Sequence, residues 1–227
     1  LLGAALTVGV FLLIRRSTRE RARREWLQAG QVGLAEAMSG DKTIEALADS
    51  ILAFLSRYID SQAAALFKGE GGIFRRAATL GVPSDATVPK EFRLKEGLLG
   101  QVAADGSPVA LTDVPEGYLT IGSALGRDSP RHLVIAPTNA EGVINAVIEL
   151  GFLQAPGPLV LQLLDESAAA IGVALRSARY RVDLQNALEE TQRQSEELQV
   201  QSEELRVSNE ELEEQGRALK ESQVRLE

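Results

Sequence analysis

Few side chains in this sequence are of the types that do covalent or metal chemistry. Among 227 residues there is no cysteine, so disulfides, thiolate metal sites and cysteine nucleophiles are excluded. His132 is the single histidine, which argues against a zinc site of the usual His-rich kind. The other polar groups that a pocket could use, Ser123, Arg131 and Glu149, share no spacing with His132 or with one another that specifies a reaction. Gly69-Glu70-Gly71-Gly72 has the glycines of a phosphate loop but lacks the Lys-Ser/Thr ending and joins two strand-like runs, so it reads as a turn. No catalytic residue, metal ligand or cofactor is assigned, and this segment reads as a non-enzyme.

The elements around those residues follow from hydrophobic spacing. Residues 41–60 place Ile44, Leu47, Ile51, Leu52, Leu55 and Ile59 on one helical face. Ala63–Lys68 and Gly72–Leu80 read as two strands around Gly69-Glu70-Gly71. Pro83 and Pro89 mark a loop, Glu96–Ala104 a short helix and Pro108–Thr112 a short strand. Residues 113–130 are rich in Gly, Pro, Ser and Asp and read as a long surface loop, which is uncommon without a function. His132–Pro137 and Gly142–Phe152 form a second hairpin around Asn139-Ala140-Glu141. Pro156 opens a last helix carried by Leu159, Leu163, Leu164, Ile171 and Leu175. The fold class is α+β: an antiparallel sheet with helices on one face and a loop-and-helix lid on the other.

Charge is unevenly spread. Residues 1–26 hold six Arg against two Glu, while residues 181–227 hold six basic and thirteen acidic side chains, and the net charge is −8. An acidic tail repels phosphate backbones, so nucleic acid is not an expected partner. Leu1–Ile14 is an uncharged apolar run, about 21 Å as a helix, against a bilayer core of about 30 Å. A signal peptide carries its positive charges before the apolar run. Here Arg15, Arg16, Arg19, Arg21, Arg23 and Arg24 follow it, as on the cytoplasmic side of a span. The expectation is therefore residues 1–14 as the C-terminal part of a transmembrane helix in the inner (cytoplasmic) membrane, with everything after Arg15 cytoplasmic. The sequence reads as a piece of a longer protein. Residues 15–40 continue as a basic juxtamembrane and linker helix, residues 41–180 form the folded domain, and residues 181–227 form a coiled coil.

The coiled coil rests on a seven-residue repeat. Leu184, Leu198, Leu205, Leu212, Leu219 and Leu226 occupy d, with Thr191 filling the one gap. The a positions are Arg181, Leu188, Ser195, Ser202, Asn209, Gly216 and Gln223. A polar a residue such as Asn209 favours a parallel, in-register homodimer at a cost in stability. Gly216 adds about 1 kcal/mol of helix cost relative to Ala. A seam this marginal suits a helix that switches between two packings; a plain solvated linker is the alternative.

The stretch EFRLKEGLLGQVAADGSPVALTDVP resembles the middle of a GAF domain, with "F…EGLxGQ" opening the short helix over the pocket. VPEGYLTIGSALGRDSPRHLVIAP and GVINAVIELG resemble the GAF subtype of membrane-bound hybrid sensor histidine kinases, as do the lead-in REWLQAGQVGLAEAMSGD and the leucine-rich tail. The resemblance implies a pocket between the sheet and the segments 92–102 and 113–131. Its apolar wall would be Phe92, Leu98, Tyr118 and Ile121, and its polar groups Ser123, Arg131, His132 and Glu149. Other roles remain open: Tyr118 could anchor its own loop, Arg131 and His132 could be solvated at a strand start, and Glu149 could face water under period-two alternation. The Asn-Lys…Phe…Asp-Glu signature of cyclic-nucleotide-binding members is missing, and without cysteine neither a thioether-linked bilin nor GAF-type methionine sulfoxide reduction fits. An unknown small-molecule ligand, or none, remains.

The resemblance implies the sensory, signal-transmitting region of a two-component sensor histidine kinase. A downstream kinase core in cis, beyond residue 227, and a response regulator would be its partners. Two alternatives stay open: a ligand-binding module feeding a diguanylate cyclase, phosphodiesterase or chemotaxis-type output, or a purely structural dimerisation stalk.

Overall fold

The computed structural model describes residues 2–83, 85–86, 88–114, 121–123 and 126–224. They divide into two compact units, residues 1–179 and 180–227. The first contains, in chain order, α1 (Leu2–Met38), α2 (Ile44–Ile59), β1 (Ala63–Glu70), β2 (Ile73–Leu80), β3 (Glu91–Arg93), α3 (Gly97–Asp105), β4 (Val109–Thr112), β5 (Ile121–Ser123), β6 (Gly126–Asp128), β7 (His132–Ala140), β8 (Val143–Phe152) and the start of α4 (Val160–Val224).

Six strands form one antiparallel sheet in the order β3-β2-β1-β8-β7-β4. The three central strands are buried on both faces, which is why AAALF, LVIA and AVIEL read as nearly unbroken apolar runs. Strand alternation sends Ala64, Leu66, Val134, Ala136, Ala146, Ile148 and Leu150 to one core. Ala63, Ala65, Phe67, Leu133, Ile135 and Val147 go to the other. Helices α1, α2 and α4 cover the first face, and α3 covers the second. This is the two-faced arrangement expected from the sequence.

Both hairpins turn two residues later than their sequence suggests. Glu70 pairs with Ile73 and Ala140 with Val143, so the turns are Gly71-Gly72 and Glu141-Gly142. All four turn residues have positive φ, as a two-residue turn of type I′ requires. Two further elements lie where loops are expected: β3, of only three residues, and the small β5–β6 hairpin within 113–130.

Helix α2 follows its spacing. Thr43 caps it by accepting from the Ala46 N–H at 3.2 Å, Asp60 closes it in the left-handed region, and Leu47, Ile51, Leu52, Leu55 and Ile59 are buried. Helix α1 is continuous from Leu2 to Met38, and its second half is more than a linker. Leu27 and Leu34 are buried in the helical-face core. Gly30 and Gly33 let α1 approach closely: a Cβ on Gly33 would stand 2.5 Å from the Phe54 ring, and one on Gly30 would stand 2.8 Å from Tyr58 and 2.9 Å from Leu163. Tyr58 also donates its hydroxyl to the Trp26 carbonyl at 2.6 Å, and the two rings are 5.0 Å apart. Burial raises the Tyr58 pKa above its usual 10.0. Among the described residues, no helix is long and apolar enough to cross a membrane.

The second unit is the remainder of α4. Leu184, Leu188, Leu198, Leu205 and Leu212 are exposed, and Asn209 lies among them. Its other faces carry ion pairs one turn apart, such as Arg193–Glu190 and Arg206–Glu203 at 2.8 and 2.7 Å. Leu226 and the Leu219 side chain lie outside the described residues.

Candidate functional site

The lid face of the sheet is the face on which the sequence resemblance places a pocket. Helix α3 is set over it by two glycines. Gly97 takes a φ of 60°. Gly100 packs where a Cβ would stand 2.3 Å from the Arg93 carbonyl. Glu96 accepts from the Arg93 N–H at 2.8 Å, and Gly100 O from the Lys95 N–H at 2.8 Å. These contacts tie the end of β3 to the first turn of α3 and explain the EGLLG spacing. Helix α3 then buries Leu99, Val102 and Ala103 against the sheet.

Three phenylalanines close one end. Phe74 and Phe92 stack with centroids 4.9 Å apart, and Phe67 meets the edge of Phe92 at 5.2 Å. On the other side, the β5–β6 hairpin is held to the loop after β2. Gly122 donates to the Gly81 carbonyl at 3.2 Å, and Arg127 pairs with Asp85 at 2.7 Å. The Arg127 hydrogen bond pulls the Asp85 carboxyl below its usual 3.8.

The expected pocket residues separate into three groups. Phe92, Leu98, Ile121 and Glu149 are brought to this face: Phe92 is buried, and Leu98 and Ile121 pack against the same core. Glu149 is 4% exposed and sits in the middle of the sheet, opposite Ala65 on β1 and Ile135 on β7, both members of the lid-side core. It does not face water; period-two alternation instead turns it towards the lid. His132 and Arg131 are placed elsewhere. His132 pairs with Phe152 and shares its face with Val134 and Ala136, on the helical side, with Nδ1 buried. Arg131 is exposed ahead of β7, and its backbone ties β8 to the lid: its N–H donates to Phe152 O and its carbonyl accepts from Val114. Tyr118 and the Ser123 side chain lie outside the described residues. Among the described residues, no group of three His, Asp or Glu is placed to hold a metal ion.

A second set of contacts joins this sheet to α4. Asn145 on β8 donates to the Gly172 carbonyl at 2.7 Å, and Thr138 on β7 donates to the Asn145 Oδ1 at 3.1 Å. Gly172 lies so close to β7 that a Cβ there would stand 2.0 Å from the Asn139 carbonyl. Arg176 pairs with Glu141 at 2.7 Å, and Arg179 pairs with Glu70. The hydrogen bond from Arg176 holds the Glu141 carboxyl below its usual 4.5. Both hairpin turns of the sheet are therefore fastened to the last turns of α4 inside the first unit. The only trace of this in the sequence is a glycine amid AAAIGVAL, a helix-weakening residue with no turn to explain it.

The model of the GAF domain matches residues 41–176. The chain belongs to the GAF domain family. No curated protein matches it. Among solved structures, the GAF domain of a phosphoenolpyruvate-protein phosphotransferase from Coxiella burnetii has a TM-score of 0.57 and 17% identity, covering 69% of this chain and 96% of that one. The A. aeolicus nlh2 GAF domain in an inactive state has a TM-score of 0.53 at 18% identity, over 68% and 98% of the two chains. The free methionine-R-sulfoxide reductase from Neisseria meningitidis, in complex with its substrate, has a TM-score of 0.52 at 17% identity, over 70% and 91%. At these identities the likeness is one of fold. A GAF domain is a small-molecule sensing and signalling module, in general non-catalytic, although sulfoxide reductases share its architecture.

Proposed function

We propose that this GAF domain senses a small molecule on the lid face and passes its occupancy through α4 to an output domain that follows the chain. The observation that carries this reading is the fastening of α4 to the sheet. β8 bears Glu149 and Val147 on the lid face and, two residues earlier in the strand, Asn145, which grips α4 at Gly172. A ligand that shifts β8 has a short mechanical route to the outgoing helix. The sulfoxide reductase held with its substrate is a precedent for a ligand in this fold.

The output that best suits the pattern is a histidine kinase core, with a response regulator as its partner. The exposed leucines at seven-residue spacing support a parallel homodimer, the form in which a helix rotation or splay can be passed on. The apolar run of residues 1–14 followed by six arginines supports an inner-membrane anchor to which the start of α1 belongs, with the GAF domain cytoplasmic. A cyclic-dinucleotide enzyme or chemotaxis-type output is compatible with the same relay. Native mass spectrometry of the gently purified chain tests the sensor claim. A dimer carrying an extra mass of small-molecule size, lost in Glu149→Leu, is expected. A chain of bare mass that takes up nothing from a metabolite extract would leave only a structural stalk.

A further inference from the structure

Resting on the proposed sensor role of the lid face, we infer that its occupant is a small organic cation, with the Glu149 carboxylate as counter-ion.

Glu149 is an acid in an apolar setting. It is 4% exposed on β8, the fourth of six strands. Its cross-strand neighbours are Ala65 and Ile135, both in the lid-side core. One step along the same face Phe67 opposes Val147, and one step the other way Ala63 opposes Gly151. Ala63, Ala65 and Gly151 carry at most a methyl group, so the carboxylate rises from a low floor with the Phe67–Phe92 ring pair to one side. A carboxylate kept from water is costly unless cations or hydrogen-bond donors meet it. It has about four acceptor sites, so contacts that Glu149 makes within the domain leave others for a bound molecule.

The charge of the surrounding chain selects the sign of that molecule. Residues 96–126, from the N-cap of α3 to the start of β6, hold Glu96, Asp105, Asp113 and Glu116 and no Lys or Arg. Residues 132–153, which include β7 and β8, hold Glu141 and Glu149 and again no Lys or Arg. Of the bases at the margins, Arg127 is paired with Asp85 and Arg75 with Glu91 at 3.3 Å, while Arg93, Lys95 and Arg131 are exposed. A field of this sign draws a cation and repels an anion. A phosphorylated or carboxylated metabolite would bring a charge for which residues 96–126 offer no counter-ion. An amine would meet Glu149, with its hydrocarbon part against the apolar lid-side core.

The test uses the full chain and a bacterial metabolite extract split by ion exchange at neutral pH into cationic, anionic and neutral fractions. Uptake from each is read by native mass spectrometry. A bound mass from the cationic fraction alone is expected. A mass taken only from the anionic or neutral fraction would overturn the inference while the sensor reading stood; no uptake from any fraction would overturn both. Glu149→Gln keeps the shape and removes the charge, and should lower the bound fraction about tenfold or more, the worth of a hydrogen bond between charged groups. Glu149→Asp, which keeps the charge, should retain more than Glu149→Gln does. Trp26 fluorescence checks that each variant is folded. Undiminished uptake by folded Glu149→Gln, or the reverse order of the two variants, would contradict the role of the carboxylate as counter-ion.

Discussion

Replacing Asn145 with alanine leaves the Gly172 carbonyl without its side-chain donor and Thr138 without its Asn145 partner. The expected cost is about 1–2 kcal/mol, read by urea denaturation. Trp26, the single tryptophan, packs against Tyr58 and reports the unfolding. Gly172→Ala should cost more, about 1–3 kcal/mol, because its Cβ meets backbone that cannot swing aside. Acid should loosen the same region. The Glu141 carboxyl titrates below its usual 4.5 in the fold, so its contribution is complete above that value and fades as pH falls through the lowered one. Amide exchange near Arg176 should quicken in that acid window, and Glu141→Gln should abolish the dependence. Apart from the glycine amid AAAIGVAL these residues do not stand out in the sequence, because the contacts to α4 span more than twenty residues. Glu149 was legible as a candidate, but whether it faced water or the lid depended on the strand register.

At the scale of elements, spacing recovered α2, the two long hairpins, α3 and β4, since each carries a strong local pattern. The second turn moved because Glu141 takes a left-handed conformation that its residue type does not announce. β3 was missed because three residues carry no period and its pairing with β2 is long-range. The second half of α1 read as a linker because its burial depends on Gly30 and Gly33, which weaken a helix unless something packs against them. Gly33→Leu tests that packing. The added side chain must displace α1 from Phe54, so Trp26 fluorescence should shift to the red while far-ultraviolet dichroism of the sheet domain is kept. An unshifted spectrum would mean that α1 is not docked in this way.

At the scale of the whole molecule, the proposed relay runs from the lid face through β8 to α4. Leu205→Lys with Leu212→Lys should leave the GAF domain folded and lower the dimer affinity at least tenfold by sedimentation; an unchanged affinity would show that these leucines lie outside the interface. The architecture of the domain was readable from order and pattern. The coupling was not, because it is made by backbone approach and paired side chains rather than by any motif. The most direct test is hydrogen exchange of the full chain with and without Asn145→Ala, followed along residues 184–212. If the domain sets the packing of the coil, protection there should change although the substitution lies some forty residues away in sequence. A change confined to residues 139–145 and 172–179 would contradict the relay and leave the coil an independent stalk.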